Sequence, residues 1–309
     1  MEDTRRWTAL TAIAPITWGS TYLVTAALLP AEAPLWGAVL RALPAGLLLL
    51  LLARERPRGA WWWRAPLIGT MTVGAFFVLV YVVAQRLPSG LAATMMAVSP
   101  AVMMLLAWPM LGLRPQRLPL MGAALGFLGV CAMLLTGVTA VDPVGVLASL
   151  AAMAMASVGF LLSRRWAGEV AVLPATAWQL VAGGLVVLPF ALVIEGAPPE
   201  LDGPAVAGFV YLSMIATALA YVLWFGGLAR LEPGTVGLLG LLNPVVGVVL
   251  GAVLVGERFG LLQVAGMALV IVGITLGRPT ATGGTPPVPE LPERPEADLA
   301  TAAAARAGA

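Results

Sequence analysis

A polar side chain in the middle of an apolar helix is costly unless it faces protein or a water-filled cavity, so such residues mark where chemistry can occur. This sequence holds few of them. Arg41 falls about seven residues into the apolar run 34–53, which places it roughly 10 Å along a helix. It could attract an anionic carboxylate, or brace a helix end through backbone carbonyls, and the residue type alone leaves both open. Gln179, beside Trp178 in the run 172–194, can donate and accept without charge, to a solute or to a neighbouring helix. Ser99-Pro100 and Asn243-Pro244 are two similar pairs in later runs. Each proline removes a donor to the residue four back, which predicts a helix break that exposes a carbonyl, either for packing or at a moving element. Pro100 and Pro244 are therefore candidate gating positions.

Aromatic residues supply the rest of the chemistry. Trp18 lies about ten residues inside the run 8–28, where an indole N–H needs a partner and the ring can stack on a solute. Together with Ser20, Tyr22, Tyr81, Tyr221 and Trp224 it completes the set of substrate-cavity candidates. Trp7, Trp36, Trp61, Trp62, Trp63 and Trp166 sit near run ends and read as interfacial anchors. The pairs Met95-Met96 and Met103-Met104 read as core filling.

Helices must position these groups. Of the 309 residues, 60% are hydrophobic and 10% charged, against about 25% charged in a soluble domain. Apolar runs lie near 8–28, 34–53, 65–86, 90–112, 117–137, 143–163, 172–194, 205–227, 233–255 and 260–277. They are long and continuous, as a helix crossing about 30 Å of hydrocarbon must be, and too long for barrel strands. Ala31-Glu32-Ala33 looks like a signal-peptidase site, but the first run exceeds a signal core in length and reads as a retained helix. From Pro279 the chain turns to Pro, Thr, Gly, Glu and Ala, a composition that predicts a disordered tail over 279–309.

Charge sets the orientation. With residues 1–7 inside, Arg5, Arg6, Arg54, Arg56, Arg58, Arg64, Arg114, Arg117, Arg164, Arg165, Arg230 and Arg278 fall on the cytoplasmic side, and Arg86 and Arg258 on the other. Both termini are then cytoplasmic. The halves also match each other at an offset of 144: Arg86-Leu87 with Arg230-Leu231, Pro100 with Pro244, Gly122 with Gly266 and Gly129 with Gly273. Five spans per copy invert the second copy, which predicts a midplane site and alternating access. The fold expected is an all-α polytopic membrane protein of ten transmembrane helices, as inverted five-helix repeats over 8–137 and 143–278.

Several function classes are excluded. There is no His, and the single Cys131 supplies no second thiolate, so metal sites and zinc chemistry lack ligands. Arginines spread over loops do not form a nucleic-acid face, and no Gly-Lys-Ser/Thr loop is present for nucleotide. No cofactor is expected, and the partners are a small-molecule substrate and the lipid bilayer. Acidic residues lie in loops, the tail or span ends, so no mid-helix carboxylate is available for proton coupling, and uniport or exchange is expected. A pore or scaffold without a transport cycle is the alternative class; an intramembrane enzyme would need paired carboxylates or a nucleophile and base.

These residues resemble the drug/metabolite transporter superfamily, and within it the EamA branch. The resemblance is carried by Trp18-Gly19-Ser20-Thr21-Tyr22, by Arg41 with Ala42, Leu43 and Gly46 behind it, and by Ser99-Pro100 leading to Gly112-Leu113-Arg114. In the second copy it is carried by the stretch from Ala216 to Phe225, by Asn243-Pro244 and by Gly256-Glu257-Arg258. Leu113 stands where the first copy commonly has Glu. The resemblance implies a bacterial inner-membrane exporter or exchanger of amino acids or related metabolites, and not an enzyme.

Overall fold

Proline, glycine and aspartate punctuate the apolar runs and decide where helices begin and end. Pro34, Pro143 and Pro233 open helices at the first position, where the missing N–H costs nothing. Asp142 caps one helix by accepting from Val144 N at 2.8 Å, and Asp202 caps another by accepting from Ala205 N at 2.8 Å. Gly112, at φ 74°, and Gly196, at φ 78°, turn the chain out of two others.

The computed structural model describes residues 2–30, 33–87, 95–134, 142–255 and 260–277. We label the helices α1 (Glu2–Leu28), α2 (Pro34–Ala53), α3 (61–86), α4 (Ser99–Leu111) and α5 (Arg117–Leu134). The second series is α6 (Pro143–Arg165), α7 (172–195), α8 (203–230), α9 (233–255, broken at 240–241) and α10 (Leu261–Leu276). No strand occurs among the described residues. Each of the expected runs coincides with helix over its described part. Six helices, over 34–53, 61–80, 143–165, 172–195, 203–230 and 233–250, are long and apolar enough to cross a membrane, while Ser99–Leu111, Arg117–Met133 and Leu261–Leu276 are apolar but shorter.

The first helix starts at Glu2 rather than near residue 8. Glu2 and Asp3 in its first turn suit the positive end of the helix dipole, so the charged segment joins the helix instead of preceding it. The side chains of Tyr22 and Tyr81, and the tail from 279, lie outside the described residues.

Leu51, Val193, Leu147 and Leu261 point outward at 72%, 84%, 67% and 91% exposure, the inverse of a soluble surface and what a lipid solvent selects. Inside, one core gathers Ala42, Ala45, Leu180, Tyr221, Trp224 and Phe225, and another gathers Met104, Val130, Met133, Leu238 and Val270. Trp36 and Trp61 belong inside as well, correcting their reading as interfacial anchors. Trp36 donates Nε1–H to Gly196 O at 3.1 Å, and Trp61 packs on Trp178 at 5.7 Å. Trp62 and Trp63 do face outward.

Small residues let the helices close up. A Cβ on Gly129 would lie 2.5 Å from Gly266 O, and one on Gly122 would collide with Gly273 O. Because 122 meets 273 and 129 meets 266, α5 and α10 run antiparallel.

Both prolines break their helices as the missing donor requires. The described chain turns at Ala97-Val98 before α4, and α9 turns at Gly240-Leu241. There Val98 N donates to Met95 O at 3.3 Å and Asn243 N to Gly240 O at 3.1 Å, tighter three-residue bonds that bridge each break.

Candidate functional site

Two helices carry a wide π-turn at the same place in each half. In α3 it spans Thr70–Gly74 and in α8 it spans Met214–Leu219, and 70 and 214 differ by the 144 residues that relate the halves in sequence. Such turns loosen the backbone ladder and are frequent at functional sites. Here each offers a carbonyl to side chains of the other half. Ala216 O accepts from Trp18 Nε1 at 3.0 Å and from Arg41 Nη2 at 3.1 Å. Thr72 O, the matched carbonyl in α3, accepts from the Tyr221 hydroxyl at 3.0 Å.

Arg41 is held on several sides. Its Nε donates to Thr217 Oγ1 at 2.7 Å, its guanidinium carbon lies 4.7 Å from the centre of the Phe77 ring, and its own carbonyl accepts from Ser213 Oγ at 3.0 Å. Charge-assisted hydrogen bonds and the π face offset the cost of a cation among apolar helices. The backbone-bracing role is thereby realised, with a guanidinium still set at the edge of the aromatic cluster.

That cluster assembles around Trp18. Its ring lies 5.6 Å from Tyr221 and 5.1 Å from Trp224. Phe160 continues the group, 5.6 Å from Trp224 and 6.0 Å from Phe225, and Tyr221 meets Phe225 at 5.7 Å. Tilted and edge-on rings at these separations are favourable beyond their buried area. The cluster can present ring faces and the Trp224 indole N–H, which is buried without a hydrogen-bond partner.

The structure thus brings together Trp18, Arg41, Tyr221 and Trp224. It takes Ser20 elsewhere, to a 2.6 Å bond with the Tyr211 hydroxyl. Asn243 abuts α1 at Gly19, where an added Cβ would lie 2.8 Å from Asn243 O, while Ser99 opens α4 and Pro100 packs on Gly237. Pro244 follows Asn243 in the second part of α9. Gln179 is buried in α7. Sequence reasoning missed Thr72, Phe77 and Phe160, and it took in Ala216 and Thr217 only within the stretch that carries the resemblance. Thr72 and Thr217, hydroxyls inside apolar runs, were the only signal; carbonyls and phenylalanines give none. A separate cavity of about 330 Å³ opens between the α4–α5 turn and the start of α9, lined in part by Met104, Arg114, Gln116, Pro119, Glu232 and Gly234, a size that accommodates a small ligand. Among the described residues no group of His, Cys, Asp and Glu could hold a metal ion.

The EamA-like transporter family matches the chain twice, over residues 5–135 and 143–277. The chain belongs to the EamA-like transporter family. It is therefore a multi-pass membrane transporter of the drug/metabolite superfamily, built from a duplicated unit. Protein PecM of Dickeya dadantii is 35% identical over 260 residues, covering 83% of this chain and 87% of PecM. A Salmonella typhimurium protein named as a probable amino-acid metabolite efflux pump is 29% identical over 66% of this chain and 72% of its own length. The inner membrane transporter YedA of Escherichia coli is 28% identical over 84% and 87%. A solved crystal structure superposes with a TM-score of 0.78 over 89% of this chain and 96% of that one. At 20% identity it speaks for the fold alone. In this EamA-like chain the two matched units meet at the Trp18–Arg41–Tyr221 site, since Trp18 and Arg41 come from the first and Ala216 and Tyr221 from the second.

Proposed function

We propose that this chain is a secondary carrier that exports or exchanges a small metabolite, an amino acid or a related compound, by alternating access. Its ten helices are two five-helix halves of opposite insertion, in a bacterial inner membrane, with both ends of the chain in the cytoplasm. The observation that carries this reading is the reciprocal pair of bulged carbonyls: Thr72 O is held by Tyr221, and Ala216 O by Trp18 and Arg41. Each half thus lends a loosened backbone carbonyl to donors of the other, so the seam between the halves is held by a few exchangeable bonds across which one half can rock on the other.

The helix partners support the same symmetry. α1 packs on α8 and α9 as α6 packs on α3 and α4, α2 meets α8 as α7 meets α3, and α2·α7 and α5·α10 pair with themselves. The antiparallel glycine crossing of α5 and α10 fits an axis lying in the membrane plane. The name of the Salmonella relative favours amino-acid-like cargo. Arg41 is the cation toward which a carboxylate would be drawn, and Trp18, Tyr221 and Trp224 are the rings against which its side chain would lie.

The test starts from metabolite profiles of cells overproducing the intact chain or Arg41→Leu. A compound whose distribution changes only with the intact chain is then loaded into proteoliposomes. Saturable flux stimulated by the compound on the far side is the expected result; linear flux without that stimulation overturns the carrier reading. Flux that requires a proton gradient and shows no counterflow would overturn the exchange mode. Reporter tags that place the two ends of the chain on opposite faces would overturn the topology.

A further inference from the structure

A second cavity, of about 30 Å³, lies among α3, α6, α7 and α8 and is lined in part by Trp61, Ser163, Trp166, Thr176, Gln179 and Phe225. Three of these lining residues carry a buried polar atom with no hydrogen-bond partner: the Trp61 indole nitrogen, the Ser163 hydroxyl and the Gln179 carboxamide oxygen. Gln179 is 2% exposed and Trp61 5%. An orphaned buried polar group costs about 1–3 kcal/mol, and three of them on the lining of one space call for a ligand there. Thr176 spends its hydroxyl hydrogen on Val172 O at 2.7 Å, so it remains only as an acceptor.

The chemistry of the lining defines the occupant. Among the described residues no charged side chain lines the cavity, so an ion would enter without compensation. Trp61 can only donate and the Gln179 oxygen can only accept, while Ser163 can do either. The ligand must therefore both donate and accept while carrying no charge. A site of roughly 10–15 Å³ suffices for one water with two to four polar partners, and this cavity exceeds that.

We propose that this niche is a built hydration site, in which ordered water accepts from the Trp61 indole N–H, donates to Gln179 Oε1 and bonds the Ser163 hydroxyl. Trp61 belongs to α3, Ser163 to α6 and Gln179 to α7, so the water joins three helices through bonds that exchange cheaply. Phe225 is shared between the niche and the Trp18–Tyr221–Trp224 cluster, through its ring contact with Tyr221. Water there lets α3, α6 and α7 part without uncovering dry polar atoms. Any solute group that displaces it must be an uncharged donor and acceptor, such as a hydroxyl or an amide.

The structure supplies an internal control. Trp61 and Trp178 are both 5% exposed, with rings 5.7 Å apart, but Trp178 Nε1 already donates to Glu55 O at 3.0 Å. The experiment is radiolytic hydroxyl-radical footprinting of the full chain in lipid nanodiscs, in which radicals formed from bound water label the side chains beside it. Trp61 is expected to oxidise several-fold faster than Trp178, and Gln179→Met to abolish that excess while leaving the labelling of Trp36 unchanged. Equal, slow labelling of Trp61 and Trp178 in the wild type would overturn the proposal, as would an excess that survives Gln179→Met undiminished. Should that variant fail to fold, Ser163→Val, whose methyl groups enter the cavity, makes the same comparison. No flux is measured, so a dry niche would leave the carrier reading standing, and a failed carrier reading would leave the niche.

Discussion

In α2 and α7, Trp36 and Trp178 stand 142 residues apart, two fewer than the offset of the later helices. Arg41 and Gly183 each lie five residues beyond them, yet they hold their helices in opposite ways. Arg41 reaches from α2 to the π-turn of α8 and bonds Ala216 O and Thr217. Gly183 brings α7 directly onto α3, where an added Cβ would lie 2.6 Å from Gly69 O and 2.8 Å from Val73 Cβ. One seam is joined by a solvated-type cation in a dry setting, the other by backbone contact with no side chain at all. At the tryptophan rims the halves remain alike. Trp36 Nε1 bonds Gly196 O at 3.1 Å at one end of the α2–α7 pair, and Trp178 Nε1 bonds Glu55 O at 3.0 Å at the other. Arg86 joins α3 to the Asp142 cap of α6 at 3.2 Å, while its counterpart Arg230 joins α8 to α1 by lying 4.0 Å from the centre of the Trp7 ring. The duplicated frame is kept at the tryptophan rims, keeps its arginines but changes their partners at Arg86 and Arg230, and diverges most at the centre, where one half has Arg41 and the other Gly183.

The contrast can be broken or sharpened by substitution. Gly183→Leu is expected to have the largest effect, because its side chain must displace Gly69 and Val73 backbone and side-chain atoms, an overpacking cost of about 3 kcal/mol. Folded protein recovered in detergent, and its melting temperature, should fall well below those of Arg41→Leu. Equal losses would show that the two seams are not held differently.

Arg41→Leu comes second. It takes the charged donor from Thr217 Oγ1 and leaves Ala216 O with Trp18, which should cost about 1.5–3 kcal/mol, and it should also abolish the metabolite change that the intact chain produces. Arg41→Lys is not expected to restore activity, since an ammonium cannot keep two fixed bonds and the stack on Phe77. Trp36→Phe and Trp178→Phe should each cost about 1 kcal/mol, the value of one hydrogen bond, and by nearly equal amounts in thermal denaturation. Markedly unequal losses would mean that the rims differ too.

The smallest effect separates the arginine rims. The Val144 N–H, first among several causes, holds the Asp142 carboxyl below the usual aspartate range. A depressed folded value means that its stabilisation is present above the ordinary aspartate pKa and is lost as pH falls through the folded one. The thermal stability difference between wild type and Asp142→Asn should therefore hold above about pH 5 and shrink as the pH falls below the ordinary aspartate value. Arg230 rests on a ring rather than a carboxylate, so Trp7→Leu should show a difference that does not change over the same range.

Much of the frame was legible beforehand. Apolar runs located the helices, and the prolines at 100 and 244 located both breaks, because a missing N–H acts on its own chain four residues away. Trp18, Arg41, Tyr221 and Trp224 were singled out by the cost of polar groups in apolar helices, and they do converge. Trp36 and Trp61 were misread because a tryptophan near a helix end has the same sequence signature whether it faces lipid headgroups or another helix. Ser20 was drawn away by Tyr211, a partner 191 residues distant that no local pattern indicates.

By itself the order of residues determined the solvent of this protein, its helices, its duplication and its few polar interior groups, since burial cost and helix termination are decided within a few residues of chain. Only the tertiary structure decided that the matched carbonyls of Thr72 and Ala216 are the ones those groups seek. A π-turn has no residue signature, and a backbone carbonyl becomes a partner only when packing brings another helix within 3 Å or so of it.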